Sequence, residues 1–305
     1  MGNTKKNVVE WFFGYGGNHI GLGLAGVDMR LLALCEIEEY AILNILEKME
    51  EGRLPVAPIW TDCKTFPREP FKNCVDIFVA SYPCQPFSSA GKRLGKDDPR
   101  HLWPYVYEFV RDVRPKQCFF ENVEGHVTKG LQEVIEDLEG IGYEVSWGIF
   151  SAEECGAPHR RKRVFILANS VESRQQALGE KPGSEWAEGS AREPSKLADT
   201  DSQGPQGHGG LEQEQCEEGR KDPNGHAWPS RPGERQHEWE PPRTIDGKLN
   251  ATWVETLQGL PVGWTGKDNR IDRLRLLGNG VVSQCAALAW QTLNYHLTTL
   301  GPDIE

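Results

Sequence analysis

Between Val8 and Ala168, short apolar runs of strand length alternate with longer stretches of helical spacing, and this alternation constrains the fold most strongly. Val8–Phe13 is an apolar run that ends in the turn Gly14-Tyr15-Gly16-Gly17. Leu31–Cys35 follows, then a helical stretch from Glu38 to Met49 and the short run Ile59–Trp60. Val75–Ala80, Gln117–Phe120 and Val164–Ala168 have the character of buried strands, Tyr143–Phe150 that of a strand, and Leu131–Leu138 has helical periodicity. Repeated strand–helix units of this kind predict an α/β domain, doubly wound around a parallel sheet, over residues 1–168. From Asn169 to about Asn250, Gly, Pro, Gln, Glu and Ser replace the apolar pattern, which predicts a small loop-rich or partly disordered region. Order returns with Trp253–Leu260 and a helical segment from Val282 to Leu297, so residues 251–305 are expected to pack back onto the large domain.

In a doubly wound sheet, ligands collect at the carboxyl ends of the strands. The glycines at 14, 16 and 17 let the backbone turn sharply and approach a ligand closely, although an ordinary turn would use the same residues. Their spacing is not the Gly-x-Gly-x-x-Gly of a dinucleotide site, which argues against a nicotinamide dehydrogenase. Glu36 lies about 20 residues on, at the end of the second run, where such folds place an acid on ribose hydroxyls. Asp62 follows Ile59–Trp60 and could accept a hydrogen bond from an adenine amino group, or simply cap a turn.

The run Val75–Ala80 leads into Ser81-Tyr82-Pro83-Cys84-Gln85-Pro86-Phe87-Ser88. A cysteine between prolines sits on a stiff loop, at the sheet end where a nucleophile would be useful. Most cysteines are inert packing residues, and Cys84 alone would be read that way.

Five segments together resemble the carbon-5 cytosine DNA methyltransferases, in the family's own order. Phe12-x-Gly14-x-Gly16-Gly17 is similar to their cofactor loop and Pro83-Cys84-Gln85 to their catalytic loop. Glu121-Asn122-Val123 resembles their Glu-Asn-Val motif. Arg161-x-Arg163 resembles their arginine pair, and Gly278-Asn279-Gly280-Val281 the Gly-Asn-(Ala/Ser)-Val motif near the end. The resemblance spans most of Val8–Ala168 and Ala251–Leu297 and omits the middle.

It implies a Rossmann-like, S-adenosylmethionine-dependent catalytic domain with a small target-recognition domain at about 169–250. Cys84 would be the thiolate that adds to cytosine carbon-6, with Glu121, Arg161 and Arg163 completing the catalytic set. The target base, unreachable while stacked, would be flipped out of double-stranded DNA. Phe12, Gly14, Gly16, Gly17, Glu36, Ile37, Asp62, Cys63, Pro83, Leu102, Asn279 and Val281 would bind S-adenosylmethionine. Gln85, Ser88, Lys92 and Arg93 would face DNA. The resemblance leaves open a restriction–modification enzyme with a cognate restriction endonuclease acting separately, a phage enzyme or an orphan one, and a single enzyme-plus-DNA unit suggests a monomer. Two rival readings remain, a related enzyme acting on transfer RNA and an inactive nucleic-acid-binding relative. The Pro83-Cys84-Gln85 loop favours DNA over RNA, since the RNA branch differs there.

Several residues depart from the family pattern. His159 stands where a glutamine usually precedes the arginine pair, and Gly280 replaces Ala or Ser. Ile37 occupies a position where many relatives carry an aromatic. Trp253-Val254-Glu255 and Leu257–Pro261 resemble the segment that organises the recognition domain but lack its Arg-Glu pair.

A net charge of −11 opposes binding to a polyanion. The charge is uneven, however: Val171–Asp222 holds twelve acids against six bases, about half of the excess. Basic clusters occur elsewhere, at Lys92, Arg93 and Lys96, at Arg160–Arg163, and at Arg270, Arg273 and Arg275; each alone is expected to be a solvated surface. Polar and aromatic residues Trp228, Arg231, Arg235, His237, Trp239 and Arg243 are candidates for DNA contact in the middle region. Eight cysteines without framework spacing predict free thiols and no zinc site. The polar Met1–Asn7 start and the lack of a long apolar run lead to the expectation of a cytoplasmic protein that does not enter membranes.

Overall fold

The computed structural model describes residues 5–83, 102–173 and 227–300. Seven strands form one sheet: β1 (Lys6–Trp11), β2 (Met29–Cys35), β3 (Ile59–Trp60), β4 (Ile77–Ala80), β5 (Gln117–Val123), β6 (Tyr143–Ser151) and β7 (Lys162–Ser170). Their order is β3-β2-β1-β4-β5-β7-β6. The five strands from β3 to β5 are parallel, as the alternation predicts. β7 departs from that expectation, because it lies antiparallel between β5 and β6. The physical reason is the connection: only Ala152–Cys155 and a short turn separate β6 from β7, too little chain for the crossover a parallel pair needs.

Strand order reverses between β1 and β4, whose carboxyl ends therefore flank an open crevice. Helices cover both faces. α1 (Gly17–Leu24) and α2 (Glu39–Glu50) pack on one, α3 (Trp103–Val113) and α4 (Leu131–Gly140) on the other. Side chains alternate between two apolar cores accordingly. Val8, Ile77, Val79 and Phe119 enter the first, and Val9, Trp11, Phe78 and Phe120 the second. α3 has no counterpart among the expected elements, yet its buried residues Trp103, Val106, Phe109, Val110 and Val113 keep helical spacing.

The chain after residue 226 returns to the first core. Trp228 is fully buried there and donates its indole N–H to the Cys155 carbonyl at 3.0 Å. A hairpin of β8 (Thr244–Ile245) and β9 (Lys248–Leu249) leads into α5 (Ala251–Leu257), where the Asn250 side chain caps the Thr252 N–H. α6 (Arg270–Asn279) and α7 (Ser283–Tyr295) complete the fold, and α7 lies against α1. That contact is close because Gly21 has no side chain: a Cβ there would stand 2.6 Å from the Ala286 methyl. Among the described residues no helix is long and apolar enough to cross a membrane.

Candidate active site

The crevice between β1 and β4 holds a cleft of about 380 Å³. One wall is the turn after β1, with Phe12, Phe13, Gly14, Tyr15 and Gly17. Gly14 and Gly16 have left-handed backbone, at φ 57° and 85°, which glycine adopts without a Cβ penalty. Phe12 adopts φ 56° despite its side chain, a strained position of the kind that clusters at ligand sites. Glu36, after β2, locks this wall: its carboxylate accepts from the Gly14 N–H at 2.8 Å and from the Ile37 and Glu38 N–H groups at 2.8 and 2.9 Å.

The floor is a chain of polar side chains from three elements. Asn18 of α1 donates to the Ser81 hydroxyl at 2.7 Å, and Ser81 bonds Glu121 at the end of β5. Arg163 of β7 then donates through Nε to Glu121 at 2.8 Å. Antiparallel pairing creates this contact, since it brings Arg163 to the cross-strand register of Val123. Burial holds the Glu121 carboxyl above the ordinary carboxylate range, against the opposing pull of Arg163, Ser81 and Arg161. A buried carboxyl poised to hold a proton beside a fixed guanidinium is suited to general acid–base work. Among the described residues the buried Asn18 Oδ1 has no hydrogen-bond partner.

The neighbouring Asn122 performs a different task. Its amide donates to the Tyr82 carbonyl at 3.0 Å, and the Tyr82 hydroxyl meets His126 Nε2 at 3.0 Å. The segment leading to Pro83, which lines the cleft, is thus tied to β5 from behind.

The remaining wall comes from the far end of the sequence, with Asp272, Arg275, Leu276, Asn279, Gly280 and Val281. Arg161 does not line the cleft. Its guanidinium donates to the carbonyls of Gly278 and Gly280, both at 2.6 Å, and so supports this wall from outside.

Of the residues singled out from sequence, Phe12, Gly14, Gly17, Glu36, Ile37, Pro83, Glu121, Arg163, Asn279 and Val281 line one cleft. Gly16 caps α1 beside it. Asp62 lies outside the lining and caps a short turn through the Lys64 N–H at 2.9 Å, while Cys63 is buried in the second core. Leu102 precedes α3 and packs against that same core. Cys84, Gln85, Ser88, Lys92 and Arg93 lie outside the described residues. Tyr15, Asn18, Tyr40, Ser81 and Asp272 line the cleft without having been singled out as site residues, and Arg275, expected only as part of a solvated basic cluster, lines it too. Asn18 and Ser81 were the detectable ones, as polar residues one step beyond motifs already read.

A family model for C-5 cytosine-specific DNA methylases matches residues 6–206, about two thirds of the chain. The chain belongs to this family. It is 41% identical over 106 residues to the type II methyltransferase M.NgoBV of Neisseria gonorrhoeae, a match covering 31% of this chain and 25% of that relative. It is 35% identical over 187 residues to the type II methyltransferase M.BanI of Aneurinibacillus aneurinilyticus, covering 58% of this chain and 40% of that one. The matches thus span well under half of these relatives' length. A Spodoptera frugiperda DNMT2 structure superposes with a TM-score of 0.62 at 16% identity, covering 95% of this chain and all of that one. A putative DNA modification methyltransferase encoded within an Escherichia coli prophage gives 0.58 at 19% identity, covering 95% of this chain and 99% of that one. At such identities the likeness is one of fold, and it supports the Rossmann-like class.

The departures from the family pattern acquire a structural setting. His159 bonds the Leu257 carbonyl at 2.8 Å and so joins the β7 lead-in to the end of α5. Burial holds its imidazole below the usual range. Glu255 finds its arginine 18 residues later: Arg273 pairs with it at 3.1 Å, and both are buried. Arg273 is therefore not the solvated residue expected from its cluster, because the carboxylate draws it inside. Two candidates for DNA contact are structural as well. Trp228 is core, and Arg243 donates to the Ser230 hydroxyl and to the carbonyls of Ser230, Arg231 and Glu234.

Proposed function

We propose that this protein is a DNA (cytosine-5-)-methyltransferase that acts on a cytosine flipped out of a specific double-stranded DNA sequence. The observation that carries the reading is the buried Glu121–Arg163 pair, held in a glycine-walled cleft that also receives Pro83, the residue before Cys84. Family membership supplies the reaction class.

Cys84 attacks carbon-6 of the cytosine as a thiolate, and the ring becomes an enamine with a nucleophilic carbon-5. Glu121 holds a proton at ring nitrogen 3 as charge develops there, which its raised pKa favours. Arg163 fixes the Glu121 carboxyl and adds positive charge to the base pocket, and Arg161 adds to that field from behind the wall. Carbon-5 is methylated, its proton leaves, and the Cys84 thiolate is expelled as the ring regains its double bond. The polar and glycine-rich walls fit S-adenosylmethionine, since the unpartnered Asn18 Oδ1 and the Glu36 carboxylate offer acceptors to ammonium and hydroxyl groups. When bound, that cofactor supplies the methyl as an activated sulfonium group. Phe12 and Ile37 would flank its adenine, Glu36 its ribose, and Asn279 and Val281 would close over it. Lys92 and Arg93, with Gln85 and Ser88, would contact the DNA. The enzyme would work as a monomer in the cytoplasm, alongside a separate cognate restriction endonuclease.

The test uses labelled S-adenosylmethionine with plasmid DNA or transfer RNA, comparing the protein with Cys84→Ala. Label in DNA that disappears in the variant is the expected result. Label in RNA only, or in neither polymer, refutes the reading.

A further inference from the structure

The wall of the cleft built from residues 278–281 is attached to the rest of the protein through its own carbonyl groups. Arg161 takes two of them, Gly278 and Gly280. A third, at Val281, is taken by Tyr15, whose hydroxyl donates at 2.5 Å across 266 residues of sequence. Tyr15 belongs to the glycine turn after β1 and is 1% exposed. Its own carbonyl accepts the Trp264 indole N–H at 2.8 Å, so the residue is fixed at both ends. Burial pushes its phenol pKa far up, and the hydroxyl remains a donor at every ordinary pH.

The ring matters as much as the hydroxyl. A Cβ built on Gly280 would stand 2.5 Å from the ring's Cζ and 2.7 Å from Cδ1, and closer still to Cε1 between them. Gly17 is tight in the same way, since a Cβ there would lie 2.6 Å from the Val281 carbonyl oxygen. The Tyr15 ring thus fills the volume that an alanine or serine side chain would occupy at 280.

We propose that Tyr15 is the positioning residue of the cofactor side of this cleft. Its hydroxyl and ring set the distance between the glycine turn and the 278–281 wall, and Gly280 is glycine because Tyr15 occupies its side-chain space. The proposal rests on the functional reading for the identity of the cofactor. It states that binding of S-adenosylmethionine depends on the Tyr15–Gly280 pair, while the chemical step depends on the Glu121 side of the cleft.

The experiment measures S-adenosylmethionine affinity by calorimetry, duplex DNA affinity, kcat at saturating cofactor, and ligand-free melting temperature. Four proteins are compared: wild type, Tyr15→Phe, Gly280→Ala and the double variant Tyr15→Leu/Gly280→Ala. Tyr15→Phe keeps the ring and removes one buried hydrogen bond, so the cofactor Kd should rise roughly five- to twenty-fold. Its DNA affinity and saturated kcat should stay within about two-fold of wild type. Gly280→Ala should weaken cofactor binding more and lower the melting temperature. The double variant should bind better and melt higher than Gly280→Ala alone, because the smaller side chain returns the space. Wild-type cofactor affinity in Gly280→Ala, or no relief in the double variant, overturns the proposal. So does a Tyr15→Phe protein with reduced saturated kcat and unchanged Kd. Wild-type protein that binds no S-adenosylmethionine overturns the functional reading instead, and the melting-temperature cycle still decides whether ring and Gly280 compete for space.

Discussion

Replacing Arg273 by leucine tests the structural frame on which the cleft's far wall depends. Glu255, fully buried in α5, accepts from the Gly263 and Thr265 N–H groups at 2.7 and 2.8 Å and from the Thr265 hydroxyl. Arg273 of α6 adds the only positive charge in this set, at 3.1 Å, and also donates to Thr252 at 3.0 Å. Removing one partner of a buried pair leaves a desolvated charge and costs about 3–5 kcal/mol. Glu255 would keep its neutral donors, which places Arg273→Leu near the lower end, at about 3 kcal/mol. At roughly 2–4 °C per kcal/mol this corresponds to a melting point lowered by roughly 6–12 °C. Glu255→Gln leaves Arg273 with its threonine acceptors and should cost about 2 kcal/mol. The double variant should cost less than the two single losses added, with a coupling of about 1.5 kcal/mol or more, read from denaturant titrations. Because α6 carries Asp272, Arg275, Leu276 and Asn279 along the cleft, cofactor affinity should fall with stability in the single variants. Additivity within about 0.5 kcal/mol would show that the pair is not a coupled unit, and the reasoning would fail.

Two further perturbations concern titrating groups in and behind the cleft. Glu121 has a folded pKa above its ordinary 4.5, so its ionisation costs stability as pH rises through that interval. Glu121→Gln should therefore abolish methyl transfer while raising the melting point near pH 8, with the gain shrinking as pH falls; a gain that grows toward low pH contradicts the assignment. Burial pulls the His126 imidazole down from 6.5 to about 4, so the stability it contributes is present above 6.5 and lost as pH falls toward 4. That interval corresponds to about 3 kcal/mol, and His126→Gln should melt with a flatter pH dependence between 6.5 and 4 than wild type.

How much of this was legible in the sequence follows from the range of the interactions. β2 and β4 announce themselves as unbroken apolar runs, β1 and β5 as apolar runs that meet a single acid, and β6 by its aromatic and β-branched residues, while the acid after β2 sits at a fixed distance from the glycine turn. The direction of β7 was not legible from its own residues, since strands of either direction carry the same buried pattern when covered on both faces. α3 was missed because Pro104 near its start reads as a helix breaker and Glu108, Arg111 and Asp112 stand between its buried residues, although Pro at the start of a helix is tolerated. At the site, motif order identified Glu121 and Arg163, but not the Asn18–Ser81 link beneath them. Glu255 and Arg273 looked unrelated for the same reason: pairing across a loop of 18 residues leaves no periodic trace.

The basic run Arg160-Arg161-Lys162-Arg163 shows how strand geometry turns a charge cluster into two functions. Side chains alternate sides along β7 and its lead-in, so Arg161 and Arg163 point inward while Arg160 and Lys162 remain outside. The inner pair divides again by partner, with Arg163 on the Glu121 carboxylate and Arg161 on the backbone carbonyls of the cleft wall. The outer pair is not a bare cationic patch, since Arg160 lies against Glu153 at 2.9 Å and Lys162 against Glu124 at 3.3 Å. Exposed pairs of this kind are weak, about 0–1 kcal/mol, and a phosphate could compete for either base. In a chain of net charge −11, a cation already facing an acid gives little long-range attraction to DNA. Steering by this strand would therefore be slight, and its contribution would come after contact, when a phosphate displaces Glu153 or Glu124 and leaves the inner arginines undisturbed.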